Sequence, residues 1–115
     1  MNVQRMCFGL DLKDDPDLIK QYEDYHQKVW PEVLKSITDS GVLNMEIYRT
    51  GNRLFMIMEI NESFDEVKKQ EAVANNPKVQ EWESLMDIFQ QRLPWANENQ
   101  KWVPMKEIFN LKKQV

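Results

Sequence analysis

VLNMEIYRTGNRLFMIMEI, residues 42–60, decides the fold. Val42 to Arg49 and Arg53 to Ile60 are two strand-like runs joined by Thr50-Gly51-Asn52, and Gly51 supplies the positive φ that a tight hairpin requires. The two runs are expected to pair antiparallel. In the second, Leu54, Met56 and Met58 point one way and Phe55 and Ile57 the other, so both faces of the strand are apolar. A sheet built around it needs a cover on each side.

Upstream, Gln4 to Leu12 alternates, with Met6, Phe8, Leu10 and Leu12 opposed to Arg5, Cys7, Gly9 and Asp11, the period of a half-buried strand. Asp15 caps a helix whose first residue is Pro16; Leu18, Tyr22, His26, Val29 and Val33 follow along one face. Trp30-Pro31 kinks or restarts this helix and Gly41 stops it. Downstream, Ser63 and Glu66 have capping-box spacing and open a short helix. Asn76-Pro77 opens a longer one, expected to run to about Arg92 with Val79, Trp82, Leu85, Met86 and Phe89 inward. After a loop from Leu93 to Lys101, Trp102 to Leu111 reads as a last strand, confined to an edge at its start by Pro104.

The order strand, helix, strand, strand, helix, strand is that of the ferredoxin-like fold: an α+β (βαββαβ) antiparallel sheet with helices on one face. The second apolar face then predicts a homodimer of the dimeric α/β-barrel type, two sheets packed face to face. With 115 residues and no linker-like stretch, residues 1–115 are expected to form one domain. A 42% hydrophobic content including four Trp, three Tyr and five Phe suffices for a core.

The net charge of −4, from 19 acidic and 15 basic residues scattered along the chain, leaves no basic stripe for a phosphate backbone, so no nucleic-acid partner is expected. No apolar run approaches the roughly 20 residues of a membrane span, and the first residues carry no signal-like segment; no membrane association and a cytoplasmic location are expected. The single Cys7 forms no intrachain disulfide and suits a reducing compartment. The acidic run Asp11 to Asp17 reads as a turn and helix cap, and with one histidine no spaced metal-ligand set exists, so no metal site is expected.

That histidine, His26, lies four residues after Tyr22, on the same side of a helical turn. A core imidazole bonded to a neighbour is the bland account; a titratable ring among hydroxyls and indoles, in a segment running through Trp30, Pro31 and Glu32, is also a plausible sugar site. Trp82, and less directly Trp30 and Trp95, offer flat apolar faces to the C–H side of a sugar. Glu59 sits in an otherwise apolar strand, where a carboxylate needs a partner; it is either a hydrogen-bonded structural group or a contact to a sugar hydroxyl. Asn44 and Tyr48 are pocket candidates of the same kind. A Cys7–His26 nucleophile and base pair is conceivable by residue type, but nothing in the sequence brings the two together.

The run Tyr22, His26, Trp30, Pro31 and Glu32 resembles the signature of the L-rhamnose mutarotase family. The resemblance continues through Asn44, Ile47-Tyr48, Leu54-Phe55 to Glu59-Ile60, Trp82, Met86 and Glu107 to Phe109, nearly the whole chain. It implies a dimeric barrel-like enzyme that opens and recloses the pyranose ring of a free monosaccharide without a cofactor. The residue matching His26 is the general acid there, the one matching Tyr22 binds substrate, and Trp82 matches the first of two adjacent sugar-contacting tryptophans. Met45 stands in place of a substrate-contacting tyrosine and Glu83 in place of the second tryptophan. Asp11 to Asp15 and Met45 to Tyr48 look closer to the family's L-fucose members, so a free 6-deoxyhexose, L-rhamnose or L-fucose, is the expected substrate. Two other classes share this element order: cofactor-independent dimeric monooxygenases and non-catalytic sugar-sensing modules.

Overall fold

In the computed structural model, which describes residues 3–114, the hairpin forms as its sequence directs. Strand β2 (Val42–Thr50) pairs antiparallel with β3 (Arg53–Ile60), Thr50 lying opposite Arg53 and Tyr48 opposite Phe55. Gly51 takes φ 56° in the turn. On its other side β3 pairs antiparallel with β1 (Gln4–Leu12), Met6 facing Met58 and Leu10 facing Leu54. The order β2-β3-β1 with further short strands on the free edge of β1 is that of the expected α+β, ferredoxin-like sheet.

The helices lie on one face. α1 (Pro16–Gln27) starts at Asp15, whose carboxylate accepts from the amides of Asp17 and Leu18, and Pro16 fills the first position, where no donor is needed. Lys28 leaves helical geometry, and Pro31 begins α2 (Pro31–Asp39). Gly41 then reverses the chain at φ 99°. A Cβ there would stand 2.9 Å from Asn61 Oδ1 and 3.0 Å from the Phe64 backbone. Leu12 and Leu54 of the sheet pack with Tyr22, Val33, Val79, Trp82, Met86 and Phe89 into the main core. A smaller cluster gathers Val42, Met58 and Ile60 with Met6, Phe8, Met45 and Phe64.

Three details depart from the sequence reading. α3 (Glu66–Ala74) is capped by Asp65, which accepts from the amides of Val67 and Lys68; the Ser63 hydroxyl instead donates to Asn61. Both are good capping residues, and the one next to the helix is in reach of its first free amides. α4 (Pro77–Asp87), capped by Asn76, stops well short of Arg92. Gln90 and Gln91 form strand β4 (Gln90–Gln91) against Leu12 and Asp11. The predicted strand from Trp102 to Leu111 is reduced to β5 (Val103–Pro104), opposite Gly9 and Phe8.

These last two departures have one cause. Gln91 pairs with Asp11 and Val103 with Gly9, so β4 and β5 are two pieces of one edge strand, and residues 92–102 leave the ladder between them. Lys101 ties this excursion to α4 through Glu83 at 2.9 Å and Asp87 at 2.8 Å. Beyond Met105, whose amide donates to the Cys7 carbonyl, the chain leaves the sheet, with Ile108, Phe109 and Leu111 exposed around a 3₁₀ turn (Leu111–Lys113).

Candidate active site

A cavity of about 540 Å³ lies between the helices and the sheet, within the roughly 300–1,000 Å³ of small-molecule pockets. Tyr22 and His26 reach it from the last turns of α1, Trp82, Glu83 and Met86 from α4, Met45 from β2, Gln90 from β4 and Trp102 from the excursion. A neighbouring methionine-rich cleft of about 730 Å³ shares Met45, Lys69 and Trp102 with it.

His26 is held on three sides. Its ring lies 4.3 Å from the Tyr22 ring and meets Trp82 edge-on at 5.5 Å. Its Nδ1 is 2.8 Å from the Tyr22 carbonyl oxygen. A carbonyl only accepts, so Nδ1 carries the proton and the neutral ring presents the lone pair of Nε2. Burial holds the imidazole below its usual pKa, against the smaller opposing pull of the Tyr22 carbonyl. At neutral pH the ring is therefore a base first, and becomes an acid once Nε2 has taken a proton.

Tyr22 is buried in the core, and its hydroxyl accepts from Gln90 Nε2 at 3.3 Å. Burial, only partly countered by Gln90, pushes this phenol up to about 12, so it stays protonated and has a hydrogen to donate. Trp82 is fixed by edge contacts with Trp30 at 5.2 Å and Tyr25 at 6.4 Å. Glu83 stands at the wall with its carboxylate bound by Lys101. Burial opposes the charge on Lys101, but Asp87 and Glu83 together outweigh it and raise its pKa.

Of the residues singled out in the sequence, His26, Tyr22, Met45, Trp82 and Glu83 thus meet at one cavity. Asn44 touches its rim, but its side-chain amide donates to Glu46. Tyr48 also donates to Glu46, and the register puts Asn44, Glu46 and Tyr48 beside Glu59, Ile57 and Phe55 on the opposite sheet face. Tyr48 and Glu59 are away from the imidazole. Trp95 is exposed beneath the Arg53 guanidinium. Cys7 pairs with Ile57 on the face away from the helices and does not line the cavity, so no Cys7–His26 pair forms. Gln90 and Trp102 carried no signal in the sequence. Gln90 fell inside a helix read as continuous, and only its pairing with Leu12 turns it inward.

The sequence profile described as L-rhamnose mutarotase matches residues 5–111. The chain belongs to this family. It is 43% identical to the L-fucose mutarotase of Xanthomonas campestris, over all of this chain and 94% of that one. It is 31% identical to the L-rhamnose mutarotase of Phocaeicola vulgatus, over 95% of this chain and 99% of that one. A crystal structure of an L-rhamnose mutarotase from Formosa agariphila superposes with TM-score 0.68 at 25% identity, covering 94% of this chain and 98% of the other. The chain is accordingly a sugar mutarotase, a carbohydrate isomerase, and neither the oxygenase nor the sensing-module alternative is favoured. Among the described residues of this mutarotase no helix is long and apolar enough to cross a membrane.

Proposed function

We propose that this mutarotase interconverts the α and β anomers of a free 6-deoxyhexose, L-fucose ahead of L-rhamnose, with His26 as the proton-transferring residue. The observation that carries the mechanism is the 2.8 Å contact from His26 Nδ1 to the Tyr22 carbonyl, which leaves Nε2 as the group facing the cavity chemistry. Nε2 takes the proton of the anomeric hydroxyl as the C1–O5 bond breaks and C1=O1 forms. The Tyr22 hydroxyl donates to the ring oxygen while charge gathers there, and the imidazolium passes the proton on to that oxygen. Rotation about C1–C2 presents the other face of the aldehyde, and the same transfers run backwards to close the ring. The protons balance with one imidazole, and general acid–base catalysis of about 10²–10⁴-fold is the expected scale. Trp82 supplies an apolar wall for the C–H face of the sugar.

Preference for L-fucose is supported by the higher identity to the relative named for that sugar. A homodimer is supported by the half-buried Phe55 and Ile57 and the exposed Tyr48 on the sheet face without helices. A cytoplasmic location is supported by the lone free Cys7. Saturation-transfer NMR on L-fucose and L-rhamnose is the test: exchange between anomers is accelerated by the protein and lost in His26→Ala. Failure of the protein to accelerate exchange of any hexose would overturn the reading.

A further inference from the structure

One buried polar atom of a residue lining the cavity has no partner. Among the described residues, Gln90 Oε1 is the one buried side-chain nitrogen or oxygen without a hydrogen bond. A buried acceptor left unmade is costly, and in native proteins such atoms are few. This one is also firmly aimed: the Gln90 backbone is pinned by the β4 pairing with Leu12, and its Nε2 donates to the Tyr22 hydroxyl. Gln90 is one of the residues lining the cavity, and with Nε2 committed to Tyr22 its buried oxygen end has no partner within the protein. The same bond uses Tyr22 as an acceptor and leaves its O–H to donate. A fixed acceptor and a fixed donor therefore stand side by side in the wall.

We infer that Gln90 contacts the substrate, its carboxamide oxygen accepting a hydrogen bond from the C2 or C4 hydroxyl, the non-anomeric ring hydroxyls nearest the ring oxygen that Tyr22 engages. This rests on the reading of the cavity as a sugar site. The ring oxygen, accepting from Tyr22, and one of these hydroxyls, donating to Gln90, complete the pair. A site built in this way discriminates strongly against an analogue lacking the hydroxyl, because the buried acceptor is then unpaired.

The test compares wild type with Gln90→Leu and Gln90→Met by saturation-transfer NMR on the preferred sugar and its 2-, 3- and 4-deoxy derivatives. In wild type one derivative is expected to lose about 10–100-fold in kcat/KM. In Gln90→Leu the parent sugar falls by a similar factor and the penalty for that one derivative vanishes, while penalties at the other positions persist. A purely supporting role through Tyr22 lowers all sugars by one factor and overturns the inference, as does a variant indistinguishable from wild type. Should neither variant fold, the side-chain amide resonance of Gln90 in wild type decides: it shifts at saturating sugar, and an unmoved resonance overturns the contact. Wild type inactive on every sugar sinks the mutarotase reading itself, a separate result.

Discussion

Replacing His26 by Gln removes the lone pair that the tautomer argument assigns to catalysis while keeping a polar side chain of comparable reach. The Nδ1–H donated to the Tyr22 carbonyl makes Nε2 a base in the neutral ring, and burial lowers the pKa from 6.5. The base is then almost wholly in its active form at pH 7.5. Loss of a positioned acid–base group costs about 10²–10⁴-fold, or roughly 3–5 kcal/mol in barrier. The assay is anomer exchange by NMR from pH 4.5 to 9, with the buffer-catalysed rate subtracted. Wild-type kcat/KM should rise tenfold per pH unit on the acid side, bend below pH 6.5 and stay flat above, because Tyr22, pushed up to about 12, does not titrate in the range. His26→Gln should lose both the rate and the bend. A variant within about threefold of wild type, or a profile that falls as pH rises through 6–7, would refute the assignment, the second by showing that the imidazolium is the entering form.

Stability should follow the same group. A histidine pKa lowered by folding means that the unfolded chain binds more protons between the folded pKa and 6.5. Its contribution is full above pH 6.5 and lost as pH falls through that window, so the His26→Gln difference in melting temperature between pH 7.5 and 5 should be smaller than that of wild type. Ile57→Glu, on the sheet face opposite the cavity, is expected to convert a dimer into monomers in sedimentation velocity; an unchanged mass removes that face from the interface. Gly41→Ala forces φ 99° on a side chain and sets its Cβ within 3.0 Å of the Phe64 backbone, a loss of at least about 1–2 kcal/mol read as a melting temperature several degrees lower. Lys101→Met keeps the stem but removes both bridges to α4; KM should rise with kcat little changed, and protease cleavage within residues 92–102 should quicken.

The elements legible in the sequence are those whose signals are local and doubled. The hairpin had both alternation and a glycine turn, and α1 and α4 each had a capping side chain followed by proline at the first position. Where a single cue stood alone it misled. Ser63 had the right spacing to Glu66, but Asp65 lay nearer the free amides. The apolar period of α4 ran through Phe89, which is buried as expected, yet helix was not the only conformation able to bury it. The free edge of β1 competes for residues 90–91, and a two-residue ladder has no period to read.

The site divides along the same line, for a reason of geometry. Helical spacing puts Tyr22 and His26 on one face whatever surrounds them, so a pair that meets at the cavity could be read from one turn of sequence, while the proton-transferring role proposed for His26 came from the family resemblance. Strand residues carry only an alternation, and alternation states that Asn44 and Tyr48 share a face without stating which face meets the helices. Met45 borders the cavity because it is paired with Met58 of the buried row, while Tyr48 is paired with Phe55 of the other. Gln90 shows the limit most sharply. Its place depends on an edge strand interrupted by residues 92–102, and its importance depends on one unpaired oxygen, a property of the folded cavity that no spacing rule encodes. A polar residue beside a site becomes informative only when its hydrogen bonds are counted, and that count exists only after folding.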